Sequence, residues 1–134
     1  MSADVFLDTN ILVYATVHDD ARATCASSLL RRGGTISVQV LNEFTNVAQR
    51  KLKRSWPEII DALGVFHVLF PDPAPIRLAT HRAALEIAQR DGFAFYDSLI
   101  IASALEVGCS TLWSEDMQNA RVIEGRLTIR NPFL

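Results

Sequence analysis

Short apolar runs alternate along this chain with longer segments in which apolar residues recur every three or four positions, a pattern of strands alternating with helices. Val5-Phe6-Leu7 is followed at once by Asp8-Thr9-Asn10. This reads as a buried strand that stops at Asp8 and turns into a helix over 11–15. A second helix is expected over 19–32, with Ala23, Ala26, Leu29 and Leu30 on its apolar side and Gly33-Gly34 closing it. Residues 35–37 read as a second short strand. From 38 to 54, Val40, Leu41, Phe44, Val47, Ala48 and Leu52 keep helical spacing, and Glu43 lies inside that pattern.

Ser55 stands three residues before Glu58, with Pro57 in the first turn, so a further helix starts here and runs toward Val65. Leu69-Phe70 is a candidate third strand. The Pro-Asp-Pro-Ala-Pro stretch at 71–75 suits neither a helix interior nor a central strand and marks a connection. Helices are expected over 76–90 and 98–107; the second is nearly all apolar, must be buried on most sides, and is closed by Gly108. Thr111-Leu112-Trp113 gives a fourth strand leading into Ser114-Glu115-Asp116, and loose alternation over 121–129 adds an edge strand. These elements predict a three-layer α/β/α sandwich around a mainly parallel, roughly five-stranded sheet, formed by one domain over 1–134.

With 134 residues, 49% of them hydrophobic, the chain has material for one well-formed core. No apolar run approaches the ~20 residues that span a bilayer, and Asp4 and Asp8 interrupt the only N-terminal one. A soluble, cytoplasmic protein with no membrane partner is the expectation. Cys25 and Cys109 fit no CxxC or Cys/His spacing, which points to buried thiols in a reducing compartment. A net charge of −2 excludes the global attraction to nucleic acid that a strongly basic domain has. Positive charge is local: Arg31-Arg32 form one run, and Arg50, Lys51, Lys53 and Arg54 another. Both lie at expected helix ends, where they either complement the helix dipole or contact phosphate.

In open parallel sheets, ligand sites gather beyond the carboxyl ends of the strands. Asp8 follows the first strand, Asp116 follows the fourth, and Asp97 opens the helix that leads back toward the sheet. Glu43 sits on an apolar helix side among Val40, Phe44 and Val47, where an ionised carboxylate is costly unless something positive meets it. Singly, each acid has an ordinary explanation as a helix cap, a turn residue or a helix-edge residue. Together at one end of a sheet, all four repel one another, and a divalent cation resolves that conflict. Oxygen donors without cysteine or clustered histidine favour magnesium or manganese over zinc, and His18, His67 and His81 have no metal spacing. The chemistry such a cluster supports is phosphodiester hydrolysis by a metal-activated water, with no nucleophilic side chain. GxSxG, GxxxxGK[ST] and GxGxxG patterns are all absent.

Four stretches in order, VFLDTNILVYA, SVQVLNEFTNVA, FYDSLIIASALEVGC and TLWSEDMQNA, resemble the successive motifs of PIN domains over nearly the whole chain. Within that family the sequence is most similar to VapC-type toxins of prokaryotic toxin–antitoxin pairs. The resemblance implies that Asp8 and Asp97 are the principal metal ligands, that Asp116 also ligates, and that Glu43 completes the catalytic quartet directly or through water. It implies that Ser114 and Thr9 orient a ligand or water through their hydroxyls. It further implies Mg2+- or Mn2+-dependent endonucleolytic cleavage of RNA, homodimerisation, and a cognate antitoxin protein. The competing expectations are a PIN scaffold that binds RNA or protein without cutting, and a DNA nuclease or phosphatase using the same carboxylates.

Overall fold

Phe6 and Leu7 are neighbours in the first strand, β1 (Val5–Leu7), and both are fully buried. Successive strand side chains point to opposite faces, so both faces of the sheet are covered. A computed structural model, which describes residues 4–18 and 20–134, gives the remaining order. After β1 come α1 (Thr9–Ala15), α2 (Arg22–Arg32), α3 (Val38–Arg50), α4 (Trp56–Leu69), α5 (Leu78–Asp91) and α6 (Phe95–Glu106). The chain ends with β2 (Thr111–Trp113), β3 (Val122–Ile123) and β4 (Leu127–Arg130). The fold is therefore mixed α/β with a mostly parallel sheet of four strands in the order β1-β2-β4-β3. Its two parallel pairings align Leu7 with Trp113 and Trp113 with Arg130, so three strands present their carboxyl ends on one side.

Residues 35–37, expected as a strand, are reduced to two parallel bridges, Phe6 with Thr35 and Ser37 with Ala74. Ser37 then leaves the sheet to cap α3, accepting the Val40 N–H at 3.2 Å. Gly34 makes the close approach possible. Its φ is +137°, and a Cβ there would stand 2.9 Å from the Val5 carbonyl oxygen. Gly34→Ala is expected to lower stability by about 1–3 kcal/mol in urea unfolding, since it combines backbone strain with a clash against β1.

Leu69-Phe70 is not a strand. Leu69 closes α4 and Phe70 caps it, its N–H donating to the Phe66 carbonyl, because the Ser55–Glu58 capping box starts a helix that runs through Gly64 and meets no proline after its first turn until Pro71. The helix expected over 38–54 stops at Arg50, and beyond it a left-handed Lys53 (φ 55°) lets the Arg54 N–H close back onto the Ala48 carbonyl at 3.0 Å. The loosely alternating 121–129 stretch is a hairpin, with β3 antiparallel to β4 and Glu124 and Gly125 both at positive φ in the turn. The expected start of a helix at Asp19 lies outside the described residues.

Helix α6 is buried from Ser98 through Leu105, as its unbroken apolar character requires, and α5 is tied to it by the buried Thr80 hydroxyl, which donates to Glu106 at 3.1 Å. Within α6 the Ser103 hydroxyl has no hydrogen-bond partner among the described residues. Ser103→Ala is therefore expected to leave stability unchanged or raise it by up to about 1 kcal/mol in the same unfolding assay, because it removes an unsatisfied buried group. Among the described residues no helix is long and apolar enough to cross a membrane. His18, His67 and His81 are exposed, whereas Cys109 is buried and Cys25 half-buried.

Candidate active site

The parallel register sets the site. Because β1 and β2 run side by side, Asp8 leaves β1 with its N–H on the Trp113 carbonyl (3.0 Å), and Ser114 leaves β2 with its N–H on the Arg130 carbonyl of β4 (2.9 Å). The Ser114 hydroxyl, fully buried, then donates to Asp8 Oδ2 at 2.7 Å, while Asp8 Oδ1 accepts the Thr9 N–H at 2.7 Å and starts α1. A carboxylate only 4% exposed with no cation beside it is expensive to ionise. Burial pushes its pKa up to about 7, against the lowering effect of the Ser114 and Thr9 hydrogen bonds, and the nearby charges of Asp97 and Glu43 add to the rise.

Glu43 projects from α3 and is held at both oxygens: the Thr9 hydroxyl donates to Oε1 (3.0 Å) and the Gln39 side-chain amide, one turn earlier, donates to Oε2 (3.0 Å). Asp97 stands in the first turn of α6, half-buried. Burial raises its pKa, and the charges of Glu43 and Asp116 raise it further. Among the described residues no hydrogen-bond donor or cationic side chain meets it. Asp116 follows β2 and accepts from the Asn10 amide at 3.1 Å. All four acids line one cavity of about 310 Å³, together with Asn10 and Lys51.

Three residues that the sequence did not single out organise this cavity. Asn10 bridges it, donating to Asp8 Oδ2 (3.3 Å) and Asp116 Oδ2 and accepting the Glu115 N–H (3.3 Å). Its place two residues after Asp8 was the available signal. Tyr14 and Arg22 hold the acid next to Asp116, Glu115, which lines the same cavity. The Tyr14 hydroxyl donates to Glu115, Arg22 Nη1 meets Glu115 Oε2 at 2.8 Å, and the guanidinium lies 4.6 Å from the Tyr14 ring centre. Burial, reinforced by Glu115, pushes the Tyr14 pKa up to about 12, so the phenol stays a donor to Glu115. Glu115 is thus paired with a cation, whereas among the described residues Asp116, the more exposed of the two, has the Asn10 amide as its partner.

The basic run divides. Arg54 is committed to Thr16, donating to its hydroxyl and to its carbonyl, each at 2.8 Å, and so ties the end of α3 to the end of α1. Arg50, Lys51 and Lys53 are exposed, and Lys51 lines the acidic cavity.

The PIN domain family model matches residues 5–124, a span that contains every one of these acids. The chain belongs to the PIN domain family. Among solved structures, this PIN domain is similar to VapC20 of Mycobacterium tuberculosis, a sarcin-ricin loop cleaving toxin. That match has 18% identity and a TM-score of 0.70, covering 84% of this chain and 89% of the other. It is also similar to VapBC2 from Rickettsia felis, whose structure holds a DNA fragment from their promoter, with 21% identity, a TM-score of 0.67, and coverage of 95% and 97%. No curated protein matches the chain.

Proposed function

We propose that this PIN domain is a metal-dependent endoribonuclease, the toxin of a toxin–antitoxin pair, acting in the cytoplasm as a homodimer. The observation that carries the reading is the Asp97 carboxylate: half-buried, met by no donor, and facing Glu43 and Asp116 across a cavity whose fourth acid, Asp8, is buried as well. Such a set holds uncompensated negative charge that a cation would neutralise. Among the described residues no three of the acids already close on one point as a finished ion cage. The donors fit a hard divalent ion in kind and in charge, and Asp8, Asp97 and Asp116 would hold Mg2+ or Mn2+. Such a cation supplies a water of lowered pKa and offsets charge developing on the phosphate oxygens.

The chain's own residues supply order. Ser114 and Thr9 hold Asp8 in one orientation, Thr9 and Gln39 hold Glu43, and Asn10 keeps Asp8 and Asp116 in register. Glu43, reaching the cavity from a different helix, is placed to receive a proton from the attacking water. RNA as substrate is supported by the similarity to a toxin described as cleaving the sarcin-ricin loop, and an antitoxin partner by the similarity to a VapBC pair.

The test is incubation of the purified protein with a mixed structured RNA pool and a matched DNA pool, with Mg2+, with Mn2+ and with chelator. RNA cleavage that either ion supports and chelator stops is the expected result, with internal fragments mapped by their ends. Protein that binds RNA but never cuts it with either ion would overturn the nuclease reading.

A further inference from the structure

A second cavity, of about 610 Å³, opens beside the acidic one and shares its wall at Glu43, Val47, Lys51 and Asp97. The rest of its lining differs in chemistry: Gln39, Asn42 and Asn46 from α3, and Tyr96 from the first turn of α6. Asn42 and Asn46 are four residues apart and so lie one above the other on the same helix face. Both are exposed, and among the described residues neither side chain has a hydrogen-bond partner. Tyr96 leaves 63% of its surface open, an unusual position for a large aromatic ring beside a carboxylate cluster. Its ring is backed by Phe95, with centres 5.6 Å apart, and Phe95 is in turn packed edge-on with His81 at 5.3 Å.

An exposed aromatic face, two unpartnered amides and a lysine, continuous with a site for phosphate chemistry, form a set that matches an unpaired nucleotide. Single-stranded RNA is recognised by stacking splayed bases on aromatic rings and by hydrogen bonds to their edges. Amides carry both donor and acceptor and so can read such an edge. We propose that this groove is a nucleobase subsite. A base adjoining the phosphate at the carboxylates stacks on Tyr96, its edge meets Asn42 and Asn46, and Lys51 contacts the backbone between the two cavities. The subsite rests on the nuclease reading above and adds that the substrate at the cleavage point is single-stranded, with its base drawn out of any stack.

The test is binding, in chelator so that no cleavage intervenes, of a labelled short single-stranded RNA and of an abasic ribose-phosphate chain of the same length and charge. Wild type is expected to bind the base-bearing RNA more tightly. Tyr96→Ala should weaken that binding by about tenfold or more, the worth of one base–aromatic stack, while Tyr96→Phe keeps it and the abasic chain is insensitive to both. Asn42→Ala and Asn46→Ala should alter the order of preference among the four homopolymers. Equal binding of base-bearing and abasic chains, or a Tyr96→Ala variant that binds as wild type does, overturns the subsite. Cleavage that persists with such results leaves the nuclease assignment standing, and base-dependent binding without cleavage does the reverse.

Discussion

Asp97→Asn is expected to reduce metal-dependent RNA cleavage by at least about 100-fold while leaving the melting temperature of the metal-free protein equal to or above that of wild type. The two halves of this result come from one feature. Among the described residues the Asp97 carboxylate accepts no hydrogen bond, and it is disfavoured by burial and by the charges of Glu43 and Asp116, so its ionised form contributes nothing to stability. Asparagine keeps the volume and removes the charge that would hold a cation. Cleavage rates with Mg2+ and thermal melts on the same preparation check both halves. A variant that cuts within about twofold of wild type would remove the acidic cavity from the reaction. Loss of cleavage with a large fall in melting temperature would mean that Asp97 is structural.

Asp8 gives the second large effect, read in stability against pH. Its carboxyl has a pKa near 3.8 in the unfolded chain and about 7 when folded. In the metal-free protein, between those values, the unfolded state has given up the proton that the folded state still holds. Stability therefore falls as pH rises through that window, and levels off above the folded value. Three pKa units correspond to a loss on the order of 4 kcal/mol. Asp97, also raised, adds to the fall in the same direction. Asp8→Asn should flatten much of this slope without metal; the Ser114 hydroxyl can rotate to accept from the amide, at the loss of the 3.3 Å bond from Asn10. Added Mg2+ should restore wild type and leave the variant unmoved, as binding to the folded state alone requires. Urea unfolding at several pH values, with and without Mg2+, measures this. A wild-type stability that climbs steadily from pH 4 to pH 7 in chelator would contradict it.

The parts of this structure legible in the sequence are those set by local chemistry. Thr111-Leu112-Trp113 is β2 because a β-branched residue and two large apolar ones follow a glycine-closed helix, and Ser55 with Glu58 caps α4 through its own side chains. Leu69-Phe70 misled because α4 carries exposed apolar residues, Ile60, Val65 and Val68 among them, so its hydrophobic pattern has no clean period to mark where the helix ends. The hairpin was hidden by Glu124, which takes a left-handed conformation that the sequence does not announce. The acids themselves were visible, since Asp8 and Asp116 follow strands, Asp97 opens a helix and Glu43 sits on an apolar face. Their supports were less so. Asn10 and Gln39 are polar residues among many; Gln39 meets Glu43 one turn along α3, and Asn10 reaches Asp116 only because β1 and β2 lie side by side. The basic run shows the converse: four cations looked alike, but the turn at Lys53 sends Arg54 to Thr16 and leaves Lys51 at the cavity.

The pairing of β1 with β2 spans almost the whole chain, since Asp8 and the Ser114 hydroxyl that holds it are 106 residues apart. During synthesis, a chain that has emerged only as far as α6 carries Asp8, Glu43 and Asp97 but has neither the strand that seats Asp8 nor Asp116. The carboxylates cannot be assembled piecemeal. On the proposed nuclease function, this order of assembly would keep the growing chain inactive until its last strands have docked.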